Sequence, residues 1–177
     1  LVKDTARNIF DHMTRIALLS DTHGYIDEQI LRMIEPCDEV WHAGDIGNII
    51  VTDTLKQHKP LRAVWGNIDG TKARAEFPEN NRFMCEGVDV WITHIGGYPG
   101  HYDFRVREEL KRNPPKLFIC GHSHILKVMF DKKLNVLHMN PGAAGKSGFH
   151  KMRTLLRFTI DADNIKELEV VELGSRG

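Results

Sequence analysis

The run Ile16-Ala17-Leu18-Leu19-Ser20 is apolar almost throughout and ends in Asp21-Thr22-His23-Gly24. A strand with no polar face is buried on both sides, which puts it inside a parallel or mixed sheet. The chain then repeats the arrangement. Apolar residues at 26, 30, 31, 33 and 34 have helical spacing and stop at Pro36. Val40-Trp41-His42-Ala43 reads as a second strand, ending in Gly44-Asp45. Ile50 to His58 reads as a helix closed by Pro60, and Leu61 to Trp65 as a third strand ending in Gly66-Asn67. Alternating strands and helices imply right-handed crossovers and a parallel sheet. His23 to Asp45 and Asp45 to Asn67 each span 22 residues, one strand–helix traverse. The helices and strands differ in sequence, so this is a structural rhythm and no internal repeat. It brings three sets of polar groups to the carboxyl edge of one sheet, where ligands of open α/β sheets bind.

The second half reads as mostly β. Thr71 to Pro78 is a polar connection. Asn81–Cys85 and Val88–Thr93 flank Glu86-Gly87 as a hairpin that ends in His94. Residues 95–102 hold three Gly and a Pro and read as a loop, and Phe104 to Arg112 as a helix. Pro114-Pro115 bars a helix before Lys116-Leu117-Phe118-Ile119, a short buried strand that runs into Cys120-Gly121-His122-Ser123-His124. Residues i and i+2 on an extended chain point the same way, so both imidazoles reach one small volume. Two neutral imidazoles at a strand end suit a transition metal. Leu126–Phe130 and Val136–Met139 are further strands, 140–145 is a loop, and Arg153–Ile160 with Ile165–Val171 forms a terminal hairpin. We expect a second sheet packed on the first, in an α/β fold.

A chain of 177 residues suggests one domain, taken as 13–177. Leu1 to His12 is mixed and polar, with Ile9 and Phe10 as its few apolar anchors, and the expectation is either that Met13 is the natural start or that 1–12 is a peripheral extension. The 24 basic and 24 acidic residues cancel, so total charge gives no case for nucleic acid or an anionic membrane. Cys37, Cys85 and Cys120 are too few and scattered for a disulfide framework. No apolar run is long enough to span a bilayer, and the N-terminus lacks a signal peptide's apolar core. A cytoplasmic protein is expected. Exposed edges in the β-rich half leave room for a homodimer.

Seven polar residues follow apolar strands: Asp21, His23, Asp45, Asn67, His94, His122 and His124. Each alone has an ordinary explanation: Asp21 can cap a helix, Asn67 can shape a turn, and a lone His is usually structural. Four of them sit beside Gly, where backbone can approach an ion closely. Their recurrence over five segments makes coincidence a poor account.

The pattern resembles the calcineurin-like metallophosphoesterases. The match is Asp-x-His-Gly at 21–24, Gly-Asp at 44–45, Gly-Asn at 66–67, His94, and Gly-His-x-His at 121–124, in the family's order. The short chain and Gly66-Asn67-Ile68-Asp69 are similar to the compact bacterial and archaeal phosphodiesterase branch. The resemblance implies two packed mixed β-sheets flanked by helices, in four layers α-β-β-α. It also implies two divalent ions: Asp21, His23, Asp45 and His124 would hold the first, and Asp45, Asn67, His94 and His122 the second, with Asp45 bridging. Imidazole and oxygen donors together suit Mn, the first expectation, or Fe, Ni, Co or Zn, over Mg or Ca. Four positive charges against two carboxylates and one bridging hydroxide leave a net positive centre for a phosphate anion. Two ions about 3.5–4 Å apart can hold the phosphate and the hydroxide for in-line attack. The expected activity is hydrolysis of a small phosphoester, a diester by branch resemblance, with Asp45, Asn67 and His94 acting through metals and phosphate.

One position departs from that pattern. Many relatives carry His after Gly-Asn, proposed to protonate the leaving group; here Ile68 stands there, so the acid is unassigned. His101, in the loop after His94, is a candidate for that acid and, like Asn67, a candidate substrate contact, against a plain solvated loop role. Arg105 reads as a solvated helix residue that can also reach phosphate. Asp69 and His42 read as orienters of ligands, and Cys120 as core. Three alternatives stand beside the phosphodiesterase: a protein-binding scaffold on the same fold, a phosphomonoesterase, and a metallohydrolase of amides or thioesters.

Overall fold

Ile16, Ala17, Leu18 and Leu19 are fully buried, the odd-numbered pair in one apolar cluster and the even-numbered pair in another. Both faces of this strand are therefore covered, as its unbroken apolar run requires. The computed structural model describes residues 13–177; the extension expected at 1–12 lies outside the described residues.

The elements run β1 (Met13–Leu19), α1 (Glu28–Ile34), β2 (Glu39–His42), α2 (Ile49–His58), β3 (Leu61–Ala63), α3 (Thr71–Glu76), β4 (Asn80–Cys85), β5 (Val88–Thr93), β6 (Gly97–Tyr98) and β7 (His101–Tyr102). Then come α4 (Phe104–Arg112), β8 (Leu117–Ile119), β9 (Leu126–Asp131), β10 (Val136–Pro141), β11 (Met152–Asp161) and β12 (Asn164–Ser175). One sheet has the order β12-β11-β1-β2-β3 and the other β4-β5-β8-β10-β9. β1, β2 and β3 are parallel, and β11 lies antiparallel to β1. In the second sheet β5, β8 and β10 are parallel. Both sheets are mixed.

The sheets face each other across a core that holds Ile16, Leu18, Trp41 and Phe158 from one, and Val90, Ile92, Leu117 and Ile119 from the other. Each such side chain contributes roughly 1.5–3 kcal/mol on burial. Helices α1, α2 and α3 cover the outer face of the first sheet through Ile30, Ile34, Val51, Leu55 and Ala73. Helix α4 covers the second through Val106 and Leu110, packed with Trp91 and Phe118. The layers are α-β-β-α. Asp27, Asn48 and Asp103 cap α1, α2 and α4 with their side chains. Among the described residues no helix is long and apolar enough to cross a membrane.

Several expectations need correction. Thr71–Glu76 is a helix where a polar connection was expected. Its cap is Gly70, with no side-chain bond, and only Ala73 is buried, so neither a cap nor an apolar stripe announces it. The loop at 95–102 contains the two-residue ribbon β6–β7. The third strand stops at Ala63, short of Trp65. The terminal hairpin is longer than its apolar run and returns to the first sheet beside β1.

Candidate metal centre

All seven predicted ligand residues lie just beyond strand ends, in two sheets rather than one. Asp21, Asp45 and Asn67 follow β1, β2 and β3 in the first sheet; His94 and His122 follow β5 and β8 in the second. Face-to-face packing brings both carboxyl edges together. Neighbouring loops are laced by backbone bonds: Asp21 N–H to the Gly44 carbonyl (3.0 Å), His23 N–H to Asp45 (3.0 Å), and Gly121 N–H to His94 (3.0 Å). The His122 N–H also donates to Asp21 Oδ2 at 3.1 Å.

Asp21, His23, Asp45, His122 and His124 all have φ between 49° and 67°. This left-handed region costs a non-glycine residue roughly 1 kcal/mol or more. It turns each chain sharply at its strand end. Glycine serves a different need here. A Cβ on Gly66 would lie 2.1 Å from Asp45 Oδ1, and one on Gly121 2.0 Å from Ser20 Oγ and 2.8 Å from Asp21 Oδ2. Neither position admits a side chain while the carboxylates stand where they do.

The donors form two groups, Asp21 with His23 and His124, and Asp45 with His94 and His122. Asp45 touches both: its Oδ1 is 3.1 Å from His94 Nε2 and its Oδ2 3.7 Å from His23 Nε2. Asn67, exposed, stands beside His94 on the wall of one cavity and beside His122 on the wall of another.

The hydrogen bonds decide whether a cation fits. His94 Nδ1 lies 2.7 Å from the Ala43 carbonyl, so Nδ1 carries the proton. In the neutral ring, the Nε2 lone pair then faces the Asp45 carboxylate. Burial opposes charge on His94, but the bond to Asp45 and the charges of Asp21 and Asp45 outweigh it and raise the pKa. Burial likewise raises Asp45, yet His94 and the Ile68 N–H hold its carboxyl below the ordinary value. His122 is lowered by burial and by His94. Asp21 Oδ1 is buried without a hydrogen bond among the described residues, facing Nε2 of His124 at 3.2 Å and of His23 and His94 at 4.0 Å. His23 and His124 point Nε2 at each other at 3.2 Å. Lone pairs converging on buried carboxylates are what a divalent cation stabilises, and each of the two groups is a set that could hold such an ion.

The supporting residues are hydrogen-bonded in full view. Asp69, 3% exposed, accepts N–H groups from Gly47 (2.7 Å), Gly66 (2.7 Å) and Ile46 (3.1 Å). His42 Nδ1 accepts from Gly44 N–H at 3.1 Å, so its proton is on Nε2 and goes to Thr22 Oγ1 at 2.9 Å. Burial pushes the His42 pKa down to about 4, which keeps this tautomer neutral. Cys120 is buried, its thiol pushed up to about 12 by desolvation.

The calcineurin-like phosphoesterase superfamily domain matches residues 14–163. The chain belongs to this superfamily. Members bind divalent metals, and the two donor groups are the matching feature of this member. A probable metallophosphoesterase of Mycoplasma pneumoniae is 30% identical over 120 residues, covering 64% of this chain and 69% of its own. The fold is similar to a solved archaeal phosphodiesterase (TM-score 0.68, 20% identity, 90% of this chain and 99% of that one). It is also similar to zinc-complexed Vps29 of Entamoeba histolytica (TM-score 0.66, 15% identity, 89% and 98%).

His101 is not brought to the donor groups. It is exposed, packs on Tyr98 with ring centroids 5.0 Å apart, and lines a separate cavity with Arg107 and Lys111. Arg105 does line both cavities at Asn67, while pairing with Asp103 at 3.0 Å. Two residues carried no sequence signal. His150 packs edge-on against His124 (5.3 Å) and donates from Nε2 to the Gly145 carbonyl (2.9 Å). Asn140, 3% exposed, donates to the Gly121 carbonyl (2.8 Å) and Ser123 Oγ (3.1 Å), holding the loop of His122 and His124.

Proposed function

We propose that the protein is a metal-dependent phosphodiesterase that uses two divalent ions, Mn being the first expectation. The observation that carries this reading is Asp45, which offers one oxygen to each donor group. Asp21, His23, Asp45 and His124 would hold one ion, and Asp45, Asn67, His94 and His122 the other. When bound, the ions act as Lewis acids that lower the pKa of water toward about 7 and draw the phosphate oxygens to them.

The chain's own groups do the rest. The Ala43 carbonyl fixes the His94 tautomer so that Nε2 is free to coordinate. The Ile68 N–H donates to Asp45 Oδ1 at 3.2 Å and sets the carboxylate's plane. Asn67 and Arg105 offer uncharged and cationic donors on the cavity walls where phosphate oxygens would lie. Ile68, 46% exposed, has no proton to give a leaving group.

Vps29 neighbours favour a second reading, a protein-binding scaffold. The edge strand β9 exposes Val128, Met129 and Phe130, which suits a partner surface. One experiment separates the two. The Mn-loaded protein is expected to hydrolyse bis(p-nitrophenyl) phosphate, and Asp45→Ala to abolish turnover. A metal-loaded protein inert to diesters and monoesters would leave the scaffold; activity that survives Asp45→Ala would sink the mechanism.

A further inference from the structure

Two cavities adjoin the second donor group. One, about 190 Å³, is walled by Trp65, Asn67, Arg74, His94 and Arg105. The other, about 480 Å³, is walled by Asn67, Tyr98, Arg105, His122 and Ser123. Asn67, Ile95 and Arg105 belong to both walls. The two cavities adjoin at these residues, with His94 walling one and His122 the other, and make up a two-part groove beside the donor group.

Each cavity has an aromatic ring in its wall with a cation over it; Arg74 is itself a wall residue, and Lys127 reaches Tyr98 from outside the wall. Arg74 Cζ lies 3.9 Å from the Trp65 ring centroid, and Lys127 Nζ 3.7 Å from that of Tyr98. Neither cation has a carboxylate partner among the described residues. Arg74 is held over the indole by its bonds to the backbone carbonyls of Asp69 (2.6 Å), Asn67 (3.4 Å) and Gly66 (3.5 Å). Tyr98 is 40% exposed. The acidic groups along the groove, apart from the metal ligands, are Glu79 and Asp103, and Asp103 is paired with Arg105.

We propose that this groove binds a single-stranded oligonucleotide across the metal centre. One phosphodiester lies at Asn67, His94 and His122, and a neighbouring nucleotide rests on the ring-and-cation pair of each cavity. The placement of that phosphodiester rests on the phosphodiesterase reading. A lone small diester has use only for the part of the groove at the donor group. A polymer that alternates anionic phosphates with flat rings uses all of it: cations meet the flanking phosphates, and rings or the Arg74 guanidinium plane take the bases. Every base offers a π-face, so binding of this kind tolerates any sequence. The chain's zero net charge is no objection, because Arg74 and Lys127, each over a ring of one cavity, have no carboxylate partner among the described residues.

The test uses the Mn-loaded full chain with fluorescein-labelled dT8 and U8, read by fluorescence anisotropy. The two arms separate DNA from RNA, and an eight-base-pair duplex serves as a third probe. Single strands are expected to bind more tightly than the duplex and to compete with bis(p-nitrophenyl) phosphate. Tyr98→Ala and Lys127→Ala each weaken oligonucleotide binding about 10-fold. Lys127→Ala also lowers the slope of log affinity against log salt by about one. Both variants keep the wild-type far-UV circular dichroism and the wild-type Mn titration, which shows that both remain folded and metal-competent. If the small diester is hydrolysed but neither oligonucleotide binds or competes, the groove proposal falls and the phosphodiesterase reading stands. Oligonucleotide binding that both variants leave intact overturns it as well. If no diester is turned over with any metal, the phosphodiesterase reading falls, and anisotropy still decides the groove.

Discussion

The Gly66 N–H donates to the Asp69 carboxylate at 2.7 Å, and the same carboxylate holds Ile46 and Gly47. Asp69 therefore clamps the loop that carries Asp45 to the loop that carries Asn67, without itself touching the donor groups. Three N–H donors on one buried anion are a stiff joint, because each loses its partner together.

Asp69→Asn leaves one acceptor oxygen for three donors and turns an amide NH₂ toward one of them. We expect a loss of about 2–4 kcal/mol and metal binding weaker by about 10–100-fold. Urea unfolding of the stripped protein and a Mn titration measure the two effects. A variant with wild-type metal affinity would remove Asp69 from the site.

Asn140→Asp replaces an NH₂ donor with an oxygen facing the Gly121 carbonyl. The loop of His122 and His124, both in left-handed backbone, loses its anchor. Stability is expected to fall by about 1–3 kcal/mol, and metal affinity about 10-fold. Isothermal titration of the refolded variant reads the second quantity; unchanged affinity would reduce Asn140 to a packing residue.

With Ile68 in place of a proton donor, leaving-group acidity should govern the rate. Positioned acids are worth about 10²–10⁴-fold, so alkyl diesters are expected to lag aryl diesters by at least that factor. Ile68→His should raise alkyl turnover and leave aryl turnover alone. Equal wild-type rates on both substrates would mean that another group supplies the proton.

His138 is fully buried in β10, and neither ring nitrogen has a hydrogen-bond partner among the described residues. Desolvation, helped by Lys127, pushes its pKa down to about 4. Its unfolded value is near 6.5, so the unfolded chain binds the extra proton between those values. This contribution is complete above pH 6.5 and is lost as pH falls toward 4, about 2 kcal/mol of it by pH 5. His138→Leu should remove that part of the acid sensitivity. Urea unfolding of metal-stripped protein at pH 7.5 and pH 5 compares the two chains; equal losses in both would contradict the account.

The chemistry of the centre was legible because it is written locally. Ile16–Leu19 had to be buried on both faces, and each candidate ligand follows a strand, so strand ends and donor types could be read together. Helix α4 was equally plain, with Asp103 before it and Lys111 and Arg112 in its last turn. Helix α3 was not, because Gly70 gives no capping side chain and packing alone holds Ala73.

By itself the sequence determined the alternation of strands and helices in the first half, the seven candidate donor residues and the absence of a histidine at Ile68. Tertiary structure alone decided that β11 returns beside β1, and that the donors come from two facing sheets. It also decided which groups became partners. Left-handed backbone at Asp21, His23, Asp45, His122 and His124 is unfavourable in any isolated peptide, and persists because neighbouring loops bond across it. The roles of Asp69, Asn140 and Arg74 depend on groups distant along the chain or on how a loop folds back. Hydrogen-bond partnership is a property of position in space, and no periodicity along the chain encodes it.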